Sequence, residues 1–141
     1  MNVDSIRNGY VIDHIQAGRG MEIYKLLKLS KLDCPVAMIM NVPSDKMGKK
    51  DIIKIDGEIV LDMDVLGFVD PDITINEIRN GEIVGKQEKI ELPERIVDVV
   101  KCKNPRCITT TEQELPHIFK LTNREKKVYR CIYCEAEAKK R

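Results

Sequence analysis

Apolar and polar positions alternate or recur with distinct periods along the chain, and the changes of period mark its elements. Val3 to Arg7 is short and mixed, and predicts at most an edge strand. Tyr10-Val-Ile-Asp-His-Ile15 is a run of strand formers with Asp13 and His14 set within it, broken by Gly18 and Gly20. From Met21 to Leu29 the apolar residues Ile23, Tyr24, Leu26 and Leu27 recur near a 3.6-residue period, which predicts a helix. Lys25, Lys28 and Lys31 lie toward its far end, where the helix dipole favours cations. Cys34-Pro35 opens Val36 to Met40, predicted as a buried strand, and Asn41 to Gly48 reads as a loop. Lys49 to Ile55 is a further strand, and Asp56-Gly57 predicts a tight turn into Glu58 to Leu61. Asp62 is placed to cap a helix over Met63 to Val69, which Asp70-Pro71-Asp72 ends. Ile73 to Ile78 alternates as a half-buried strand, and Asn80-Gly81 predicts a second hairpin into Glu82 to Lys86. Glu88 to Pro93 is a connector.

The order is β-α-β-β-α-β-β, which predicts an α+β domain: an antiparallel sheet with two helices on one face, ferredoxin-like, over residues 1–93. Residues 94–141 are strand-rich, at Arg95 to Lys101, Ile118 to Leu121 and Lys127 to Arg130, and predict a second, small β domain. There are no internal repeats and no low-complexity segments.

That second domain is too small to be stable on its apolar residues alone, since below ~70–80 residues a core rarely supplies more than a few kcal/mol. It holds four of the five cysteines, as two close pairs: Cys102-Lys-Asn-Pro-Arg-Cys107 and Cys131-Ile-Tyr-Cys134. Two short turns that each supply two sulfurs fit the tetrahedral preference of zinc for thiolates. Four thiolates leave no open position, so the metal is structural, and His117, between the pairs, is redundant as a ligand. Disulfides are the competing reading, and iron in a four-cysteine site is another that spacing leaves open. The fifth cysteine, Cys34, reads as a small apolar core residue rather than a nucleophile.

Composition narrows the function. Lys and Arg number 24 against 23 Asp and Glu, for a net charge of +1, so no bulk field draws the chain to nucleic acid or membrane. The longest apolar run, Val36 to Met40, is far short of a membrane span. With no Trp, two Phe and four Tyr, a stacking platform for single strands is not expected. Met1-Asn-Val-Asp-Ser carries no secretory pattern, so the expected compartment is the cytosol, where close cysteine pairs favour metal over disulfide.

No catalytic arrangement stands out: there is no phosphate-cradling glycine loop, and the two His lie far from any nucleophile in sequence. Lysines bordering strands (Lys49, Lys50, Lys54 and Lys86) are either a solvated charged face or a set of point charges for phosphates. Asp13 and His14, with backbone groups of the Ile78–Ile83 hairpin, are candidates to read a base and ribose.

Taken in order, Val11-Ile-Asp-His-Ile15, Asn41-Val-Pro-Ser44, Met47-Gly-Lys-Lys-Asp-Ile-Ile-Lys-Ile55, Val84-Gly-Lys86, Leu92-Pro-Glu-Arg-Ile96 and the cysteine set with Cys131-Ile-Tyr-Cys-Glu135 resemble the regulatory chains of aspartate carbamoyltransferase. The resemblance spans nearly the whole chain. It implies a non-catalytic subunit of pyrimidine biosynthesis whose first domain binds ATP and CTP, with UTP beside CTP in some members. It implies a second domain that binds one zinc ion through Cys102, Cys107, Cys131 and Cys134 and docks onto catalytic chains. Regulatory chains then pair as homodimers through their first domains. By position, Asp13 and His14 match residues near base and ribose, Lys54 and Lys86 residues near ribose and phosphates, and Lys50 and Ser44 the phosphate side. Val3, Ile6, Asn76, Ile78 and Ile83 match the pocket wall. Gly81 stands where a familiar member has Tyr, and the Lys103–Arg106 loop replaces an Asn-rich one.

Two other classes compete. A stand-alone zinc-ribbon module for nucleic acid finds some basic character in Arg124-Glu-Lys-Lys127 and Lys139-Lys-Arg141. A small enzyme with a structural zinc finds no nucleophile or base to build on.

Overall fold

The computed structural model describes residues 6–138, so Val3 lies outside the described residues. These residues form two compact units, divided between Ile90 and Glu91.

The first unit runs β1 (Gly9–Gln16), α1 (Gly20–Leu26), β2 (Val36–Ser44), β3 (Gly48–Ile55), α2 (Met63–Val69), β4 (Thr74–Arg79) and β5 (Glu82–Gln87). Its antiparallel sheet has the order β2-β3-β1-β4-β5. The first four strands in space give the ferredoxin-like arrangement, and β5 extends it as a hairpin. Asn80 and Gly81 turn that hairpin with φ of 53° and 80°, the left-handed pair that a two-residue turn needs.

Side chains alternate across β3. Asp51, Ile53 and Ile55 are buried on the face that α1 packs against, and α1 also packs on α2. Ile12 and Ile15 of β1, Ile23 of α1, and Leu66 and Phe68 of α2 are likewise buried. Lys50, Ile52 and Lys54 take the opposite face, where Ile52 joins Ile6, Val11 and Ile78 in a small buried cluster with Val42 at its side. Asp62 caps α2 as predicted: its carboxylate accepts the N–H groups of Asp64 (3.1 Å) and Val65 (3.2 Å). Asp62→Ala is expected to destabilise the first unit by about 1 kcal/mol in urea titrations, a typical cost of losing an N-cap.

The structure corrects several expectations. No hairpin forms at Asp56-Gly57, and residues 58–61 are not a strand. The Asp56 carboxylate instead accepts the N–H of Arg7 (3.1 Å), its own N–H donates to Pro35 (2.9 Å), and Gly57 lies against the Cys34 sulfur. These bonds anchor the end of β3 to the neighbouring chain segments and stop it turning. Val36–Met40 belongs to a longer strand at the sheet edge, where Met40 is 52% exposed, so it is not the buried strand predicted. That strand runs to Ser44, leaving only residues 45–47 as turn. The helix from Met21 stops at Leu26, because Lys28 adopts a left-handed φ of 56° before a 3-10 turn at Leu29–Lys31. Ile6 and Arg7 are not in a strand.

The second unit contains β6 (Arg95–Val97), α3 (Ile108–Thr111), β7 (Ile118–Asn123) and β8 (Val128–Cys131), with strand order β6-β7-β8. Among the described residues Ile96, Phe119 and Tyr129 are its large buried apolar side chains, with Cys102, Cys107, Cys131 and Thr109 also buried, and the Tyr129 hydroxyl donates to the Pro93 carbonyl. The strand expected to reach Lys101 ends at Val97. Asp98 turns away with a φ of 56°, and its carboxylate accepts the His117 N–H at 2.8 Å. The single-turn α3 was not foreseen.

Candidate metal centre and effector face

The two cysteine turns converge. Cys102 lies in the segment after β6, Cys107 caps α3, Cys131 ends β8, and Cys134 follows in the turn. Cys131 pairs across the sheet with buried Phe119, so the small core and the sulfur cluster share one support. The four sulfurs lie within 4.8 Å of one another, with Cys102–Cys134 at 3.6 Å and Cys107–Cys131 at 3.7 Å. Thiolates about 2.3 Å from a tetrahedral ion stand about 3.8 Å apart, whereas a disulfide needs about 2 Å. All five cysteines are free, which removes the disulfide reading.

Hydrogen-bond donors converge on the sulfurs. The Thr109 hydroxyl donates to the Cys107 sulfur at 3.1 Å. Backbone N–H groups of Tyr133 and Cys134 point at Cys131, and that of Asn104 at Cys102. Without a cation, burial pushes the Cys102 thiol up to about 12, against the backbone bond from Asn104, and raises Cys131 as well. Burial also pushes Cys134 up, but the Asn104 side chain, the Ala136 N–H and the neighbouring Cys102 and Cys107 outweigh it and bring that thiol to about 7. A divalent cation opposes the effect of burial on Cys102, Cys131 and Cys134, because it supplies the charge that burial withholds. His117 is not a fifth ligand, as its Nδ1 accepts the Cys102 N–H at 3.2 Å. The centre therefore fits a structural metal held by four sulfurs.

In the first unit, strand register sorts the predicted effector residues. Ala37, Lys54, Val11, Asn76 and Lys86 are successive partners across β2, β3, β1, β4 and β5, so they share one face in one row. Lys54 is 2% exposed on this face. Asp13 lies on the same face at a bulge in β1, and both its oxygens meet the Lys50 ammonium, at 2.9 and 3.3 Å. His14 follows with a φ of 57°, and its Nδ1 meets the Thr74 hydroxyl at 3.1 Å. The Ser44 hydroxyl accepts the Met47 N–H at 3.3 Å in the β2–β3 turn. Ile6 and Ile78 are buried on this same face, and Ile83 is 52% exposed on β5. The residues thus divide into a buried cluster, a charged row and an open edge.

Sequence reasoning did not single out a cleft of about 380 Å³ at the His14 end, lined by His14, Lys46, Met47, Asp72, Thr74, Glu88 and Lys89. It also missed Asp51, buried opposite that face, whose oxygens accept the N–H groups of Gly18 (3.1 Å), Gly20 (3.0 Å) and Asn41 (3.1 Å). Its signal was available: Asp51 is the charged member of an otherwise apolar alternation with Ile53 and Ile55.

Residues 1–90 match the family model described as aspartate carbamoyltransferase regulatory chain, allosteric domain, and residues 94–141 match the same chain's metal binding domain. The sequence is 53% identical over 135 residues to the aspartate carbamoyltransferase regulatory chain of Clostridium botulinum strain Hall, covering 96% of this chain and 92% of that one. It is 50% identical over 136 residues to that of Clostridium tetani, covering 96% and 94% of the two chains. It is 45% identical over 139 residues to that of Bifidobacterium longum, covering 99% of each. Among the described residues no helix is long and apolar enough to cross a membrane.

Proposed function

The chain belongs to the family of aspartate carbamoyltransferase regulatory chains, and from that premise we propose that it senses nucleotides on behalf of a partner's active site. The first unit binds ATP and CTP, with UTP beside CTP. The second carries one zinc ion that shapes a surface for docking onto the catalytic chains. Two regulatory chains pair through their first units, and the assembly works in the cytosol. The observation that carries the effector reading is the row Lys54, Asn76 and Lys86 on one sheet face: two ammonium groups and an amide, with an aliphatic cluster beside them on that face. That combination suits phosphates, a base edge and a ribose.

The residues supply binding and discrimination, not chemistry. Lys54 and Lys86 meet phosphate oxygens as point charges, Lys50 does so when it exchanges Asp13 for a phosphate, and His14 and Asn76 offer polar atoms to base and ribose. A bound effector then shifts a quaternary equilibrium only by its difference in affinity for the two states. Lys86→Ala and Lys54→Ala are each expected to weaken CTP and ATP binding tenfold or more, about the worth of a hydrogen bond to a charged group. Calorimetry checks this, with circular dichroism to confirm that each variant is folded. Unchanged affinity in both would refute the site.

A second reading, nucleic-acid binding by the metal unit, draws on one observation: Arg95, Lys120 and Arg130 are cross-strand partners and form an exposed cationic row. A mobility shift with mixed DNA and RNA separates the two, and we expect none at physiological salt.

A further inference from the structure

Glu88 follows directly on the end of β5 (Glu82–Gln87), two residues after Lys86. The Glu88 carboxylate lies 3.4 Å from the Lys86 ammonium, with the two side chains 60% and 56% exposed. Glu88 also lines the cleft onto which His14 opens, together with Asp72 and with Lys46 and Lys89. A cleft for a polyphosphate tail alone would be expected to be lined by cations. This one carries two carboxylates among its lysines, and one of them holds the lysine of the proposed effector row.

Resting on the effector reading above, the geometry points to Glu88 as a built-in competitor for Lys86, which sets how strongly the site responds to the number of phosphates on a nucleotide. An exposed ion pair of this kind is readily opened, so a phosphate displaces Glu88 from Lys86 at little cost. The displaced carboxylate stays at the rim and repels the rest of the tail. The penalty grows with tail charge: smallest for a nucleoside monophosphate, largest for a triphosphate. Asp13 is a different case, because its pair with Lys50 is shorter and only 22% and 16% exposed.

The test is calorimetric titration of the full-length, zinc-loaded chain with CMP, CDP and CTP, unaltered and as Glu88→Gln. One carboxylate facing about two phosphate charges in a water-like dielectric is worth about fivefold to tenfold in affinity. Glu88→Gln should therefore tighten CTP by that factor, CDP by less, and CMP less than twofold, with the gain shrinking as salt is raised. Glu58→Gln, a carboxylate outside the cleft, should leave all three unchanged. An equal change for the three nucleotides, or no change for CTP in a chain that binds it normally, overturns the inference and leaves the effector reading standing. No binding by the unaltered chain overturns the effector reading and this inference with it.

Discussion

Cys107→Ser should unfold the second unit while leaving the first intact, and should abolish assembly with catalytic chains. Serine nearly matches the volume of cysteine, so the exchange opens no cavity and the loss isolates the thiolate. The unit has a small core, with Ile96, Phe119 and Tyr129 as its large buried apolar side chains apart from the cysteines. A four-thiolate zinc site can contribute on the order of 10 kcal/mol to folding, comparable with the whole stability of a typical domain. Removing one ligand therefore removes more than the rest of the unit can supply. Strong chelators should do the same to the unaltered chain, and added zinc should restore it but not the variant. Acid should act in the same direction. Metal binding needs four thiolates, Cys102 keeps its proton up to about 12 without a cation, and Cys134 keeps its own up to about 7. Binding therefore releases protons, and affinity falls as pH falls. Metal analysis, amide exchange and co-elution with the catalytic chains check these outcomes. A metal-free Cys107→Ser chain that still co-elutes would show that the ion does not shape the docking surface.

The element order was legible in the sequence because each strand and helix of the first unit announces itself by its own hydrophobic period. Asp62, Asn80 and Gly81 were legible because capping and left-handed turns are local chemistry. The Asp56-Gly57 turn misled for a matching reason: the dipeptide is a hairpin signal only when its side chain is free to turn, and here the carboxylate is engaged by Arg7, 49 residues away in sequence. Exposure of β2 follows from its place at the sheet edge, which a single run of apolar residues does not encode. The sulfur cluster was readable from spacing, since two short turns can meet in few ways. The charged row was not: Lys54, Asn76 and Lys86 become neighbours only through the register of four strands, and two of the strands it crosses are bulged.

Asp51→Ala is expected to be among the most destabilising exchanges in the first unit outside its apolar core. Asp51 is fully buried on β3, between the bulged strands β1 and β2. Where β2 bulges, Asn41 takes a φ of 61° and its N–H leaves the ladder for one Asp51 oxygen. The other oxygen collects the N–H groups of Gly18 and Gly20, which close the loop into α1. Gly20 is required there, because a Cβ would lie 2.8 Å from that same oxygen. Truncation leaves three donors facing a void, so the cost is about 3–5 kcal/mol, as for other buried charges that lose their partners. For a unit of this size that lowers Tm by more than about 10 °C. Asp51→Asn should cost less, because its one carbonyl oxygen still serves Gly18 and Gly20 while its amide N–H₂ faces Asn41. The bulges also hold Asp13 and His14 at their places on the opposite face, so Asp51→Asn should weaken CTP binding as well, although Asp51 itself lies on the other side of the sheet. Thermal unfolding that ranks Ala below Asn below the unaltered chain, with calorimetry following the same order, is the expected result. An Asp51→Ala chain as stable as the unaltered one would mean that those three N–H groups find partners without it.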